Sequence, residues 1–227
     1  MTTDALLGIS DLPHQLPRFE DIDDDDYAPA IEAAMAEQLA AVAAITADPA
    51  APTFANTLVP LELSGTTLAR VLRVFWNKAS ADANPDIDAV RAAFAPRLAA
   101  HSDAILLDPA LWTRLQEVYA DRAALAPESA YLVERYVTEL RLAGAALGED
   151  DKARLRELNE RISSQETAFE LALQADSNDL AVVVDDPATL DGLTPGELSA
   201  AAAAAQARGL DGRHLLTLVL QIGRAHV

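Results

Sequence analysis

His101, Ser102 and Asp103 set a base, a hydroxyl and an acid in a row, the residue types that a hydrolytic relay uses. On a helix, however, adjacent side chains point in different directions, so the tripeptide reads as a helix terminus and not as a relay. Asp21, Asp23, Asp25 and Glu32 fall at positions one, three, five and twelve of a calcium-loop count. Asp26 stands where that loop needs a glycine, Pro29 interrupts it, and the chain already reads as helix from Tyr27. The carboxylates are therefore expected to favour a helix N-terminus through the macrodipole. Glu157 with Glu160, and Glu166 with Glu170, are carboxylate pairs at helical spacing, but general acid and base work needs a pocket that separates their pKa values. They read as a solvated face beside Arg154, Arg156 and Arg161. Trp76 and Trp112 lie on apolar stripes and are expected in the core. Asn77, Asn84, Asn159 and Asn178 read as caps or turn formers. No catalytic, cofactor-binding or metal-ligating residue is assigned.

The elements around these residues are helical. Residues 1–22 carry Pro13 and Pro17 and little periodicity, which predicts an extended arm on the surface. Tyr27, Ile31, Met35, Leu39, Val42 and Ile45 then recur at three- and four-residue steps, one stripe of a helix that Asp48-Pro49 stops. Thr53 or Asn56 caps the next helix, whose Leu58, Leu61, Leu68, Leu72 and Phe75 form a second stripe interrupted by Gly65. Phe75–Lys78 ends that helix, Asn84-Pro85 turns the chain, and Asp86 opens the next. Further helices are predicted at about 86–102, 109–124, 128–147 and 150–175. In the last, Leu155, Leu158, Ile162, Phe169 and Leu173 stand in near-heptad order, which predicts a seam packed along another helix. At Leu180–Val184 the pattern changes to a β-branched run, read as a buried strand. A helix over 195–208 and a second apolar run over 215–220 complete a strand, helix, strand unit. The fold class is thus mainly α, antiparallel helical hairpins with a small strand-helix-strand unit near the C-terminus. The expected divisions are 1–22 arm, 23–175 helical domain, 176–220 α/β element and 221–227 tail.

Composition limits the function. The 227 residues are 51% hydrophobic with only 5% aromatics, so the core is built of Leu, Val and Ala. A formal net charge of -19 repels phosphate backbones and anionic headgroups, which excludes nucleic acid and membrane surfaces as expected partners. Lys78 and Lys152 are the lysines among 17 cations. Without cysteine there is neither disulfide nor thiolate metal site, and no basic leader or spanning segment is read, so the expected location is cytoplasmic. The final heptapeptide, Gln221–Val227, resembles the in-frame translation of a sequencing-adapter oligonucleotide and is read as non-native.

Several short segments, in this order and spacing, carry a resemblance. They are Leu16–Ile22, Ala44–Pro49, Thr53–Thr57, Leu63-Ser64-Gly65, Phe75–Ile87, Ala143-Gly144-Ala145, Asp150-Asp151-Lys152, and Leu158-Asn159-Glu160 followed by Phe169. Together they resemble the N-terminal portion of thimet-oligopeptidase-type zinc metallopeptidases, with bacterial peptidyl-dipeptidases nearest. The resemblance implies a parent that hydrolyses short peptides and releases C-terminal dipeptides, with zinc in a C-terminal half not represented here. In that family two histidines one helical turn apart meet the zinc with a Glu between them. His14, His101, His214 and His226 include no such pair. The resemblance therefore implies that this portion supplies the wall and lid of a substrate channel, binds no zinc and is inactive alone. Its partners would be short peptide substrates and the missing half, and its faces toward that half would be apolar and prone to self-association. The alternative reading is a non-enzymatic acidic helical interaction module that uses such a face.

Overall fold

The computed structural model describes residues 3–216, without the side chains of 3, 4, 177 and 178. A short helix α1 spans Thr3–Leu7. It corrects the expectation of an extended surface arm: Leu6 is buried in the core, and Arg70 donates to the carbonyls of Leu6 and Leu7, groups that the helix end leaves open. Pro13 and Pro17 lie beyond α1 and do not oppose it.

Helix α2, Tyr27–Ala47, is preceded by a reciprocal cap in which the Asp23 backbone N–H donates to Asp26 Oδ2 at 2.9 Å. Tyr27, Ala30, Ile31, Ala34, Val42 and Ile45 are its buried side, while Leu39 of the expected stripe is exposed. Two alanines one turn apart, Ala30 and Ala34, belong to that buried side. By length and composition the stretch Asp24–Ala47 could cross a membrane, its best window having a mean hydropathy of 1.3. No such segment was expected from the sequence, because no run reaches the ~20 consecutive apolar residues that span a bilayer. In the fold it is the central core helix.

After Asp48, Thr53 and Asn56 cap each other across a single π-helical turn, Phe54–Leu58, so both candidate caps act. Helix α3, Val59–Ser64, and helix α4, Thr66–Ala81, are split at Gly65 as the sequence expects. Helix α5, Pro85–Leu106, starts at Asn84, whose Oδ1 accepts from the N–H groups of Asp86 and Ile87 at 3.0 Å. Asn84 Nδ2 also donates to Asp24 Oδ2 at 2.6 Å, with Lys78 Nζ 3.7 Å from the same carboxylate, so one joint ties α4, α5 and the entry to α2.

Helix α6, Pro109–Ala120, is capped by Asp108, and α7, Pro127–Ala143, ends at Gly144 with φ 104°. There the Ala145 N–H reaches the Leu140 carbonyl and the Gly144 N–H reaches that of Arg141, a Schellman closure that stops α7 four residues before the predicted end. Helix α8, Glu149–Asp179, begins with three acidic residues that suit its dipole.

Two cores result. The first joins Leu6, the front of α2, α4 and the start of α5, with Tyr27 edge-to-face on Phe75 at 5.5 Å. The second joins Val42, Ile45, Leu58, Leu61 and the end of α5 with α6 and α7. No residue of α8 belongs to either.

The chain divides into two compact units, Met1–Thr167 and Ala168–Val227, and the division falls inside α8. In the second unit β1, Val182–Val184, pairs antiparallel with β2, His214–Leu216, in the register Val182↔Leu216 and Val184↔His214. Helix α9, Pro195–Ala207, lies between them in sequence and opens with a Thr194–Glu197 capping box. Ala201, Ala205 and Leu215 are buried where α9 meets β2. The strand expected to be buried is instead open, with Val182 49% and Val183 41% exposed, because the described sheet has two strands. The rest of the second apolar run, residues 217–220, and the heptapeptide Gln221–Val227 lie outside the described residues.

Candidate functional site

His101, Ser102 and Asp103 lie inside α5, which runs on to Leu106 and so corrects their reading as a helix terminus. His101 and Asp103 are both buried while Ser102 faces solvent. His101 Nε2 is 2.8 Å from Gln38 Oε1 on α2, which makes Nε2 the protonated nitrogen and leaves the buried Nδ1 without a partner among the described residues. Burial holds the imidazole pKa below its ordinary value of 6.5. Gly65 makes room for this pair, since a Cβ there would stand 2.8 Å from Gln38 Nε2.

Asp103 turns to a different neighbour. Its Oδ1 accepts from Asn159 Nδ2 of α8 at 2.8 Å, and its Oδ2 has no partner among the described residues. Burial raises its pKa above 3.8, against the opposing pull of Asn159 and the Arg156 charge. The two titratable groups therefore serve α2 and α8 separately and form no relay.

The acidic segment before α2 has structural partners: Asp23 and Asp26 cap each other, and Asp24 receives Asn84 and Lys78. No group of three or more His, Cys, Asp or Glu is placed to hold a metal among the described residues. His14 sits on a surface turn, His101 inside α5 and His214 on β2. The carboxylates Glu157, Glu160, Glu166 and Glu170 are exposed on α8, as the solvated-face reading expects.

The aromatic and amide readings divide. Trp112 packs on the second core, whereas Trp76 is 41% exposed and leans on Phe75 at 5.0 Å, which corrects its placement in the core. Asn84 is a cap; Asn159 is not, and Asn77 lies exposed within α4. Asn178 lies outside the described side chains. Two buried cations escaped sequence reasoning. Arg114 donates to the carbonyls of Asp48 and Ala50 and to Thr57 Oγ1 at 2.8–3.3 Å and fixes the loop between α2 and the π-turn. Lys152, 2% exposed, reaches Glu149 Oε1 at 3.3 Å. Neither lies in a pattern that announces burial, because long cationic side chains bury their stems only where the fold supplies acceptors.

The expected seam of α8 divides: Leu155 is half-buried beside Gly144. Leu158, Ile162, Phe169 and Leu173 are exposed, Ile162 to 49%, which corrects the expectation of a seam packed along another helix throughout. What the described residues present is thus an apolar helix face beside acidic side chains, with no assembled catalytic or metal-binding group.

No family model matches the chain. It is 40% identical over 221 residues to a dipeptidyl carboxypeptidase of Salmonella typhimurium and 35% identical over 220 residues to one of Escherichia coli. The chain is a relative of dipeptidyl carboxypeptidases. The match takes in 96% of this chain, so it covers the helical unit and the strand–helix–strand unit alike. The chain spans 32% of the length of each of these dipeptidyl carboxypeptidases.

Proposed function

We propose that this chain is part of a longer zinc-dependent oligopeptidase that hydrolyses short peptides and releases C-terminal dipeptides. In this reading it forms the wall and lid of the substrate channel and works in a reducing, cytoplasmic setting. The observation that carries the reading is the similarity to two dipeptidyl carboxypeptidases along 96% of the chain while only 32% of their length is spanned. The exposed apolar residues of α8 support it, since a face of this kind suits contact with further polypeptide.

The described residues do not fit zinc: no group of three or more His, Cys, Asp or Glu is placed to hold it among them, and His101 is committed to Gln38. No hydrolytic step is therefore assigned to this chain. The acidic interaction module is the competing reading. Two measurements test the proposal. Metal analysis and a peptidase assay with an N-terminally blocked peptide are expected to give no stoichiometric zinc and no dipeptide release for this chain alone. The coding sequence beyond Leu220 is expected to continue into a His-Glu-x-x-His helix, and joining it should create dipeptide release. Stoichiometric zinc in the chain, or a gene that ends without such a helix, would overturn the reading, the latter in favour of the interaction module.

A further inference from the structure

Strand β1 is an edge that the described sheet leaves open. It pairs with β2 alone among the described residues, so its backbone N–H and C=O groups that point away from β2 meet no further strand there. Successive side chains of a strand point to opposite faces, and Val182 and Val183 are both exposed, so β1 is open on its two faces as well as along its edge. Helix α9 covers the other strand, where Ala201, Ala205 and Leu215 are buried.

The devices that keep an edge from pairing are missing from β1 itself. Ala181–Val184 carries no charge and no proline, the residues that blunt natural edges. Three β-branched residues in a row favour pairing instead. The edge is also held ready: Arg213 Nε bonds Asp185 Oδ1 at 3.0 Å, one step beyond the Val184↔His214 pair, and continues the register.

Size and charge select the occupant. An edge of three residues offers far less than the ~1,000 Å² that a stable contact between separate molecules buries, and a second copy would bring a further net charge of -19. A strand in the same polypeptide needs no such area, since tethering replaces association from solution with a high effective concentration. The dipeptidyl carboxypeptidases that resemble this chain have the length for it, because the chain spans 32% of each. We propose that β1 receives a third strand from further polypeptide of the parent peptidase, an extended segment with apolar side chains on both faces. That segment is free of acidic residues, because Asp179, Asp185 and Asp186 stand at the two ends of the edge in sequence. The inference rests on the reading of this chain as part of a longer protein and adds to it a contact separate from the α8 face.

Hydrogen exchange, read by mass spectrometry with residue-level fragmentation, tests the added strand on this chain and on the chain joined to its continuing coding sequence. In the chain alone the outward β1 amides should exchange without protection, and in the joined protein they should slow about ten-fold, as a net hydrogen bond of ordinary strength allows. Val182→Asp sets an acid on the edge. It should leave the melting temperature of the chain alone unchanged, since Val182 is half exposed, and should remove the protection in the joined protein. Unprotected β1 amides in a joined protein that releases dipeptides would overturn the added strand and leave the peptidase reading intact. An equal loss of stability from Val182→Asp in both proteins would also overturn it. Protection without dipeptide release would support the strand and overturn the peptidase reading, and a gene that ends near Leu220 would overturn both.

Discussion

Burial acts on His101 and Asp103 in opposite directions, and the sign of each follows from which form carries the charge. The His101 pKa is depressed, so its contribution to stability is fully present above about pH 6.5 and is lost as pH falls toward the folded value. The Asp103 pKa is raised, so its contribution is fully present below 3.8 and is lost as pH rises through the folded value. Denaturation midpoints at several pH values separate the two. Relative to His101→Asn, the parent chain should lose stability between about pH 7 and about pH 5, the range in which an unfolded His titrates. Relative to Asp103→Asn, it should lose stability as pH rises above the ordinary Asp value of 3.8. Parallel pH profiles for parent and variant would contradict either assignment. Gly144 is a second residue whose role is physical and local. Its φ is 104°, and a Cβ would stand 2.7 Å from Leu155 Cδ2 and 3.0 Å from Leu147 Cδ1. Gly144→Ala should cost about 2–4 kcal/mol, the sum of a left-handed backbone penalty and overpacking, measured by urea unfolding.

Among the elements, the joint between α4 and α5 shows how one side chain can serve two purposes. Asn84 caps α5 with its oxygen and reaches Asp24 with its nitrogen, so the cap is also a tertiary contact with the segment that enters α2. Asn84→Ala should destabilise by about 1–2 kcal/mol, the range of a lost N-cap, while Asn84→Ser should recover the cap and not the Asp24 bond. A double-mutant cycle with Asp24→Ala is expected to give a coupling energy above zero; strict additivity would show that the contact is idle. Helix ends were legible wherever local chemistry sets them, as at Asp48-Pro49, Thr53 and Asn84-Pro85. They were missed by a few residues at 106, 120, 143 and 179, where tertiary packing or a turn extends or cuts the pattern.

For the whole molecule, two opposing surface properties meet: a net charge of -19 and exposed apolar residues along α8. Like charge disfavours association at low salt, and at 0.1 M salt screening removes most of that repulsion beyond about 10 Å. Self-association of the chain should therefore rise with salt in sedimentation velocity, and Ile162→Glu should suppress it. A chain that stays monomeric at all salt concentrations would show that the α8 face drives no association. The same face is what the proposed function assigns to further polypeptide of a longer peptidase.

The mainly helical class, the break at Gly65, the caps and the order of the strand, helix and strand follow from local physical rules, because apolar period, proline and capping chemistry act over a few residues. The tertiary structure decided the rest. Leu39 and Trp76 satisfy a helical stripe yet face water, since whether a stripe is buried depends on which neighbour arrives to cover it. Arg114 is buried because the carbonyls of Asp48 and Ala50, from distant positions, meet it there. Asn159 serves as a tie and not a cap because α5 brings Asp103 within 2.8 Å, a distance that no spacing along the chain encodes.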